Sequence, residues 1–296
     1  MTILTAEEMA AADRRSVEAG VSVRVLMENA GTAVSRFCLR RFAGDGLVVV
    51  VCGKGNNGGD GMVAARVLSE HGRRVRVALL GSAAEMKGDA AAACAGVRAV
   101  AAIEFVEIVD EVGLKAALEG ADLVVDAVVG TGFKPPLRGL AAVARELLRE
   151  SAAKVVAVDL PSGWDADSVK MEEEGAFRAD AVVTFVAPKM AHVFGHLTAG
   201  TMGPVVVAGI GEPESAVVSE TGFTWAGSSK GIAEKPRGVD GNKGKFGHVL
   251  VVGGAYGKAG APAMASLACL RAGAGLVTAA VPREVLGMVA GIAQEL

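Results

Sequence analysis

A mainly parallel α/β sheet covered by helices on both faces is the fold class this sequence predicts. Three observations predict it. Short apolar, β-branched runs recur along the chain, and stretches of 3.6-residue periodicity lie between most of the early ones. A glycine-rich turn, Gly53–Gly61, then joins the first run to a helical pattern. Strands that are apolar throughout are buried on both faces, which calls for helices above and below and for right-handed crossovers between parallel neighbours.

Taken in order, Thr5-Ala-Glu-Glu8 has the form of a capping box and opens a helix through Glu18, closed by Gly20. A second helix runs from Ser22 to Phe42, with Val25, Leu26, Val34, Phe37 and Leu39 as its apolar positions. Glu28-Asn29-Ala30-Gly31 interrupts that pattern; a solvated face with a close helix contact and a role in a site both fit it. The expected strands are Leu47–Cys52, Arg73–Leu80, Ile103–Val106, Leu123–Val129, Val155–Asp159, Ala181–Val186 and Pro204–Ala208. Expected helices between them include Met62–His71, Ala83–Ala95, Asp110–Leu118 and Leu140–Ser151. Composition changes after Gly211. Residues 1–211 therefore read as one domain, 212–235 as a linker and 236–296 as the start of a second. The second stretch holds a strand, His248–Val252, a glycine loop, Gly253–Gly260, a small-residue helix, Ala263–Ala272, and a strand, Thr278–Val281. One βαβ unit cannot bury both faces of its own sheet, so this domain reads as cut short.

Composition narrows the function classes. Aromatic residues are only 4% of the 296, which argues against stacking platforms for nucleic acid, and the formal net charge of −3 excludes a strongly basic footprint. Cys38, Cys52, Cys94 and Cys269 are scattered, with no Cys-x-x-Cys, and read as small buried hydrophobes of a reducing compartment. Glu7, Glu8 and Asp13 stand where a signal peptide would be basic and then apolar, and no run approaches the ~20 residues of a membrane span. A cytoplasmic protein without nucleic-acid or membrane partners is the expectation.

Candidate site residues come from the strand ends, where open parallel sheets bind ligands. The turn Gly53-Lys-Gly-Asn-Asn-Gly-Gly-Asp-Gly61 would aim backbone N–H groups and a positive helix end at one spot, suited to a phosphate. It contains Gly53-x-Gly55-x-x-Gly58, which alone is a weak dinucleotide signal. The second strand ends in Leu80-Gly81-Ser82 without the ribose-binding acid of a redox Rossmann domain, and Asn56, Asn57 and Asp60 are polar groups that such a loop does not need. Asp126 lies near the end of the strand leading into Gly130-Thr-Gly132, Asp159 ends Val155-Val-Ala-Val-Asp159, and Ser162 follows in Pro161-Ser-Gly163. Any one Asp could be a helix cap or turn former. Two of them at strand ends beside glycines, with Ser162 and the glycine turn, point to one shared crevice.

Together, Gly53–Gly61, Asp126–Gly132, Asp159–Gly163, the opening Leu-Thr-Ala-Glu-Glu-Met and Leu26-Met-Glu-Asn-Ala-Gly31 resemble the NAD(P)H-hydrate epimerase family across residues 1–211. The resemblance implies a three-layer αβα Rossmann-like domain, a homodimer or higher homo-oligomer, a substrate that is hydrated dinucleotide (NADHX or NADPHX), and a bound potassium ion. It implies substrate contacts from Asn56, Asn57, Gly58, Gly59 and Asp60, from Gly130, Thr131, Gly132, Phe133, Lys134, Pro135 and Pro136, and from Asp159. It implies potassium ligands in Asn57, Asp126 and Ser162; an all-oxygen set of this kind suits a hard cation. Asp159 is the candidate general acid/base for inverting the hydroxyl-bearing C6 of the nicotinamide ring, by loss of either C–O or C–N. Lys134 could assist or be a solvated loop lysine. Residues 241–281 resemble the start of the ADP- or ATP-dependent NAD(P)H-hydrate dehydratase, implying an incomplete ribokinase-like α/β fragment; its later glycine-rich motif is missing, so no dehydratase activity is expected. Three positions depart from the pattern: Trp164, expected as a bulky ring beside the site, Ala191, and Asn242. A non-catalytic dinucleotide-binding or interaction protein is the rival reading, and a redox or kinase domain on the same glycine turn is the second rival.

Overall fold

The computed structural model describes residues 1–170, 175–196, 202–225 and 241–292. The chain forms two compact units, Met1–Trp225 and Ala226–Leu296.

The first unit opens with α1 (Ala6–Glu18), whose capping box is made in full: Glu8 N–H donates to Thr5 Oγ1 at 3.2 Å and Thr5 N–H to Glu8 Oε2 at 2.8 Å. Helix α2 (Val23–Arg41) is continuous through Glu28–Gly31. A Cβ on Gly31 would lie 2.5 Å from Asp60 O, and Asn29 Nδ2 donates to Ile210 O at 2.7 Å, so this stretch makes a close helix contact and a tie to the loop beyond the last strand. Then come β1 (Leu47–Cys52), α3 (Asn56–Glu70), β2 (Val75–Leu80), α4 (Gly88–Arg98), β3 (Ile103–Ile108), α5 (Glu111–Leu118) and β4 (Ala121–Ala127). After these follow α6 (Leu140–Glu150), β5 (Lys154–Val158), β6 (Ala181–Phe185), α7 (Met190–His196) and β7 (Val205–Ala208). All seven expected strands are present, with ends shifted by a residue or two. Helix α3 starts six residues before the expected Met62, and α4 is preceded by a short 3₁₀ turn, Ala83–Glu85.

The strands form one parallel sheet in the order β3-β2-β1-β4-β5-β6-β7. Alternate residues of β1 supply two cores. Val48, Val50 and Cys52 pack with α2, α3 and α4 on one face, and Val49 and Val51 with α5 and α6 on the other. This is why the run is apolar without alternation, each fully buried Val contributing roughly 1.5–3 kcal/mol. Strand order reverses between β1 and β4, and their carboxyl ends open the crevice described below.

Residues 212–225 belong to this unit and not to the linker that their composition suggests. Thr2 pairs with Thr224, Ile3 N–H donates to Phe223 O at 3.0 Å, and Trp225 N–H donates to Met1 O at 2.7 Å. Residues 226–235 of that expected linker lie outside the described residues. The second unit pairs β8 (His248–Val252) in parallel with β9 (Leu276–Ala280), joined through α8 (Gly260–Arg271) and followed by α9 (Arg283–Ile292). All four cysteines are free thiols; Cys38, Cys52 and Cys94 are buried, and burial pushes the Cys38 thiol up to about 12. Among the described residues no helix is long and apolar enough to cross a membrane.

Candidate active site

Helix α3 begins inside the glycine turn because two backbone approaches demand it. A Cβ on Gly53 would lie 2.0 Å from Val128 O, and one on Gly58 would lie 1.9 Å from Gly53 O. The loops after β1 and β4 and the first turn of α3 therefore touch backbone to backbone, with the α3 N-terminus held at the end of the sheet.

Above them lies a crevice of about 930 Å³ within the first unit. Asn56, Asn57, Asp60, Gly130, Thr131, Gly132, Phe133 and Asp159 line it, as expected from the sequence. Lys134, Pro135 and Pro136 do not; Lys134 is exposed, with Nζ 2.7 Å from Asp165 Oδ1 and 3.1 Å from Asp167 Oδ2, so it is a solvated, ion-paired loop lysine. Gly58 and Gly59 are buried beneath the lining. Trp164 is 2% exposed, packed in a satellite core with Leu160, Ala166 and Val182, and it does not border the crevice.

Asp126 and Ser162 do not line the crevice; both are fully buried, with the Ser162 hydroxyl bonded to the backbone of the crevice-lining Val129. The Ser162 hydroxyl donates to Asp126 Oδ1 at 2.6 Å, and Ser162 N–H donates to Asp126 Oδ2 at 2.7 Å. Burial pushes the Asp126 carboxyl up to about 6, against the hydrogen bonds from Ser162 and Val128. Among the described residues every donor to this carboxylate is neutral. Gly130 lies between Asn57 and Asp159: a Cβ there would stand 3.0 Å from Asn57 Oδ1 and 2.9 Å from Asp159 Oδ2. Asn57 Nδ2 is buried with no hydrogen-bond partner.

Asp159 sits at φ 68°, in the left-handed region that Asp tolerates better than most residues. Its carbonyl accepts from His192 Nε2 at 2.8 Å; His192 Nδ1 accepts from Lys189 N–H at 2.9 Å, so that ring nitrogen carries no proton. Four donors occupy the Asp159 carboxylate. Thr131 N–H (2.8 Å) and the Thr131 hydroxyl reach Oδ2, while the Thr184 hydroxyl (2.9 Å) and Lys189 Nζ (2.8 Å) reach Oδ1. Burial alone would raise this carboxyl, but the charge and hydrogen bond of Lys189, with Thr131, hold it well below the usual carboxylate range. Lys189 is 1% exposed, and its remaining contacts are Thr184 Oγ1 at 2.8 Å and Phe185 O at 3.1 Å. Sequence reasoning missed Thr184, Lys189 and His192. The available signal was a hydroxyl inside an apolar strand, followed by Lys189 and His192 one helical turn apart.

A parallel sheet with a glycine-built helix start and acid-tipped strands at its switch point defines a Rossmann-like α/β domain. The sequence matches the family described as YjeF-related protein N-terminus over residues 23–191. The chain belongs to that family. It is 39% identical to the bifunctional NAD(P)H-hydrate repair enzyme Nnr of Moorella thermoacetica, over 98% of this chain and 56% of that protein. It is 41% identical to the same-named enzyme of Pyrobaculum aerophilum, over 95% and 55%. It is 40% identical to the NAD(P)H-hydrate epimerase of Rhodopirellula baltica, over 64% of this chain and 75% of that one. The chain thus spans little more than half the length of the bifunctional relatives. The crystal structure of yeast ynu0 (YNL200c) shares the fold, with a TM-score of 0.63 at 22% identity, covering 81% of this chain and 97% of the yeast one.

Proposed function

We propose that the first unit interconverts the R and S forms of NADHX and NADPHX at C6 of the nicotinamide ring, a metabolite-repair reaction. The convergence of Asn56, Asn57, Asp60, Gly130–Phe133 and Asp159 on one crevice carries the reading. The 40% identity to an epimerase supports it. The volume suits a nucleotide-sized ligand, whose diphosphate would bind at the positive end of α3. The unpartnered Asn57 Nδ2 offers a donor to a ligand oxygen.

Asp159, expected from the sequence as general acid/base, takes a different part in this reading. A carboxylate with four donors has no free lone pair for a substrate proton, so Asp159 serves as a fixed anion beside the ring. For potassium, Asn57, Asp126 and Ser162 are the proposed ligands. A buried carboxylate whose donors are all neutral fits a monovalent cation, and the all-oxygen set fits a hard one. Bound there, the ion would offset the charge of Asp126 and of the dinucleotide phosphates.

The test supplies the R epimer and follows appearance of the S epimer, with and without potassium. Conversion above the uncatalysed rate, faster in potassium, is the expected result; binding without conversion would leave only a dinucleotide-binding protein. Ser162→Ala should raise the potassium concentration needed for half-maximal rate on the order of 10-fold, and an unchanged potassium dependence would remove Ser162 from the ligand set.

A further inference from the structure

With Asp159 saturated, the crevice needs another group to move the C6 hydroxyl proton. Among the described residues three carboxyls reach it: Asp159, Asp60 and Asp13. Asp13 comes from α1, which crosses the site because Leu4 pairs with Lys189 and Leu4 N–H donates to Pro188 O at 3.0 Å. Ala6, Met9, Ala10 and Asp13 then recur at helical spacing on the face of α1 that lines the crevice. Its carboxylate has no hydrogen-bond or ion-pair partner among the described residues, so both oxygens are open to a ligand.

We propose that Asp13 is the catalytic base of this crevice, with Asp159 a fixed anion. The proposal rests on the epimerase reading above. In the ring-opening route, ionised Asp13 takes the proton of the C6 hydroxyl and C6=O forms. The C6–N bond breaks and its electron pair moves to the ring nitrogen. After the aldehyde turns, nitrogen re-forms the bond on the other face and the oxygen takes the proton back from Asp13. One proton leaves and returns, and no co-reactant is consumed.

The electrostatic surroundings agree with this division. Asp13 faces Lys189, Asp159, Glu212, Asp60 and its helix neighbour Arg14. Asp13 keeps an exposed edge, and partial removal from water, with the Asp159 and Glu212 charges and against Lys189 and Arg14, pushes its carboxyl up to about 6, near the working range of a base at neutral pH. Burial, with the Asp159 and Asp13 charges, drives the Asp60 carboxyl well above the usual carboxylate range, which favours its neutral form, the one able to donate a hydrogen bond.

The experiment compares R-to-S conversion by wild type, Asp13→Asn and Asp13→Glu in potassium, after subtraction of the uncatalysed rate, together with binding of NADPH. Asp13→Asn should lower kcat by about 10²–10⁴-fold while NADPH still binds within about twofold of wild type. Asp13→Glu should recover part of the lost rate. The wild-type kcat/KM should fall below about pH 6, where the base gains its proton, and the residual rate of Asp13→Asn should lack that acid limb. Retention of more than about a tenth of the wild-type kcat by Asp13→Asn overturns the assignment. A wild-type profile flat from about pH 5 to about pH 8 overturns it too, even should Asp13→Asn fail to fold. Absence of conversion by the wild type rejects the epimerase reading itself.

Discussion

Replacing Lys189 by Met should destabilise the first unit by about 3–5 kcal/mol, because it strips the single cationic donor from a buried carboxylate. The methionine fills much of the lysine's volume, so the loss is electrostatic and not a cavity. Asp159 would keep only the Thr131 and Thr184 donors, in a setting that otherwise raises its carboxyl. The pH dependence follows by sign. In the wild type the folded carboxyl lies below its unfolded value of about 4, so its contribution is present above that value and fades as pH falls from there through the lower folded value. In Lys189→Met the carboxyl loses its two largest lowering influences and rises, so the variant loses less stability on acidification than the wild type. The gap between the two proteins should therefore be widest near neutral pH and narrow toward pH ~4. Lys189→Met combined with Asp159→Asn should regain part of the loss, since no buried charge is then left unpaired. Urea unfolding at several pH values measures all of this. Unfolding free energies agreeing within about 0.5 kcal/mol would mean that the ion pair adds nothing to the fold.

The sheet was legible in the sequence because burial on both faces leaves an unmistakable pattern. β1 reads Leu-Val-Val-Val-Val-Cys and could be little else. Asp126, Ser162 and the Gly130 loop were found for a related reason, as polar groups and glycines at the ends of such runs. The start of α3 was not legible. Asn56-Asn-Gly-Gly-Asp-Gly61 has poor intrinsic helix propensity, and the helix forms there because tertiary contacts tolerate only glycine. Lys189 and His192 were hidden by distance, lying 30 and 33 residues from Asp159. Parallel pairing of β5 with β6 and the Asp159 N–H bond to Val183 O bring them together, and residue spacing carries no trace of that pairing. In the sequence Asp13 stands out only as a charge unsuited to a signal peptide. Its place over the crevice depends on the bridge between Leu4 and Lys189, a long-range contact between two short, irregular segments.

Gly58→Ala tests whether those tertiary contacts outweigh propensity. By propensity alone the substitution should strengthen α3 by about 0.8–1 kcal/mol, as Ala does inside a helix. The structure requires the opposite. The new Cβ would lie 1.9 Å from Gly53 O and 2.8 Å from Gly53 C, and these are backbone atoms that cannot rotate away. Gly53 cannot retreat either, since its own Cα faces Val128 O with no room for a Cβ. The first turn of α3 must lift, at an overpacking cost of about 1–3 kcal/mol or more, and Asn56 and Asn57 move with it. NADPH binding should therefore weaken together with stability. Gly96→Ala supplies the contrast, because Gly96 is exposed inside α4 with nothing within 4 Å of an added Cβ. That variant should gain about 0.5–1 kcal/mol and bind NADPH unchanged. If thermal melting ranks both alanine variants above the wild type, the backbone approach at Gly58 is looser than 1.9 Å implies, and the glycine turn is not what fixes the helix end against the crevice.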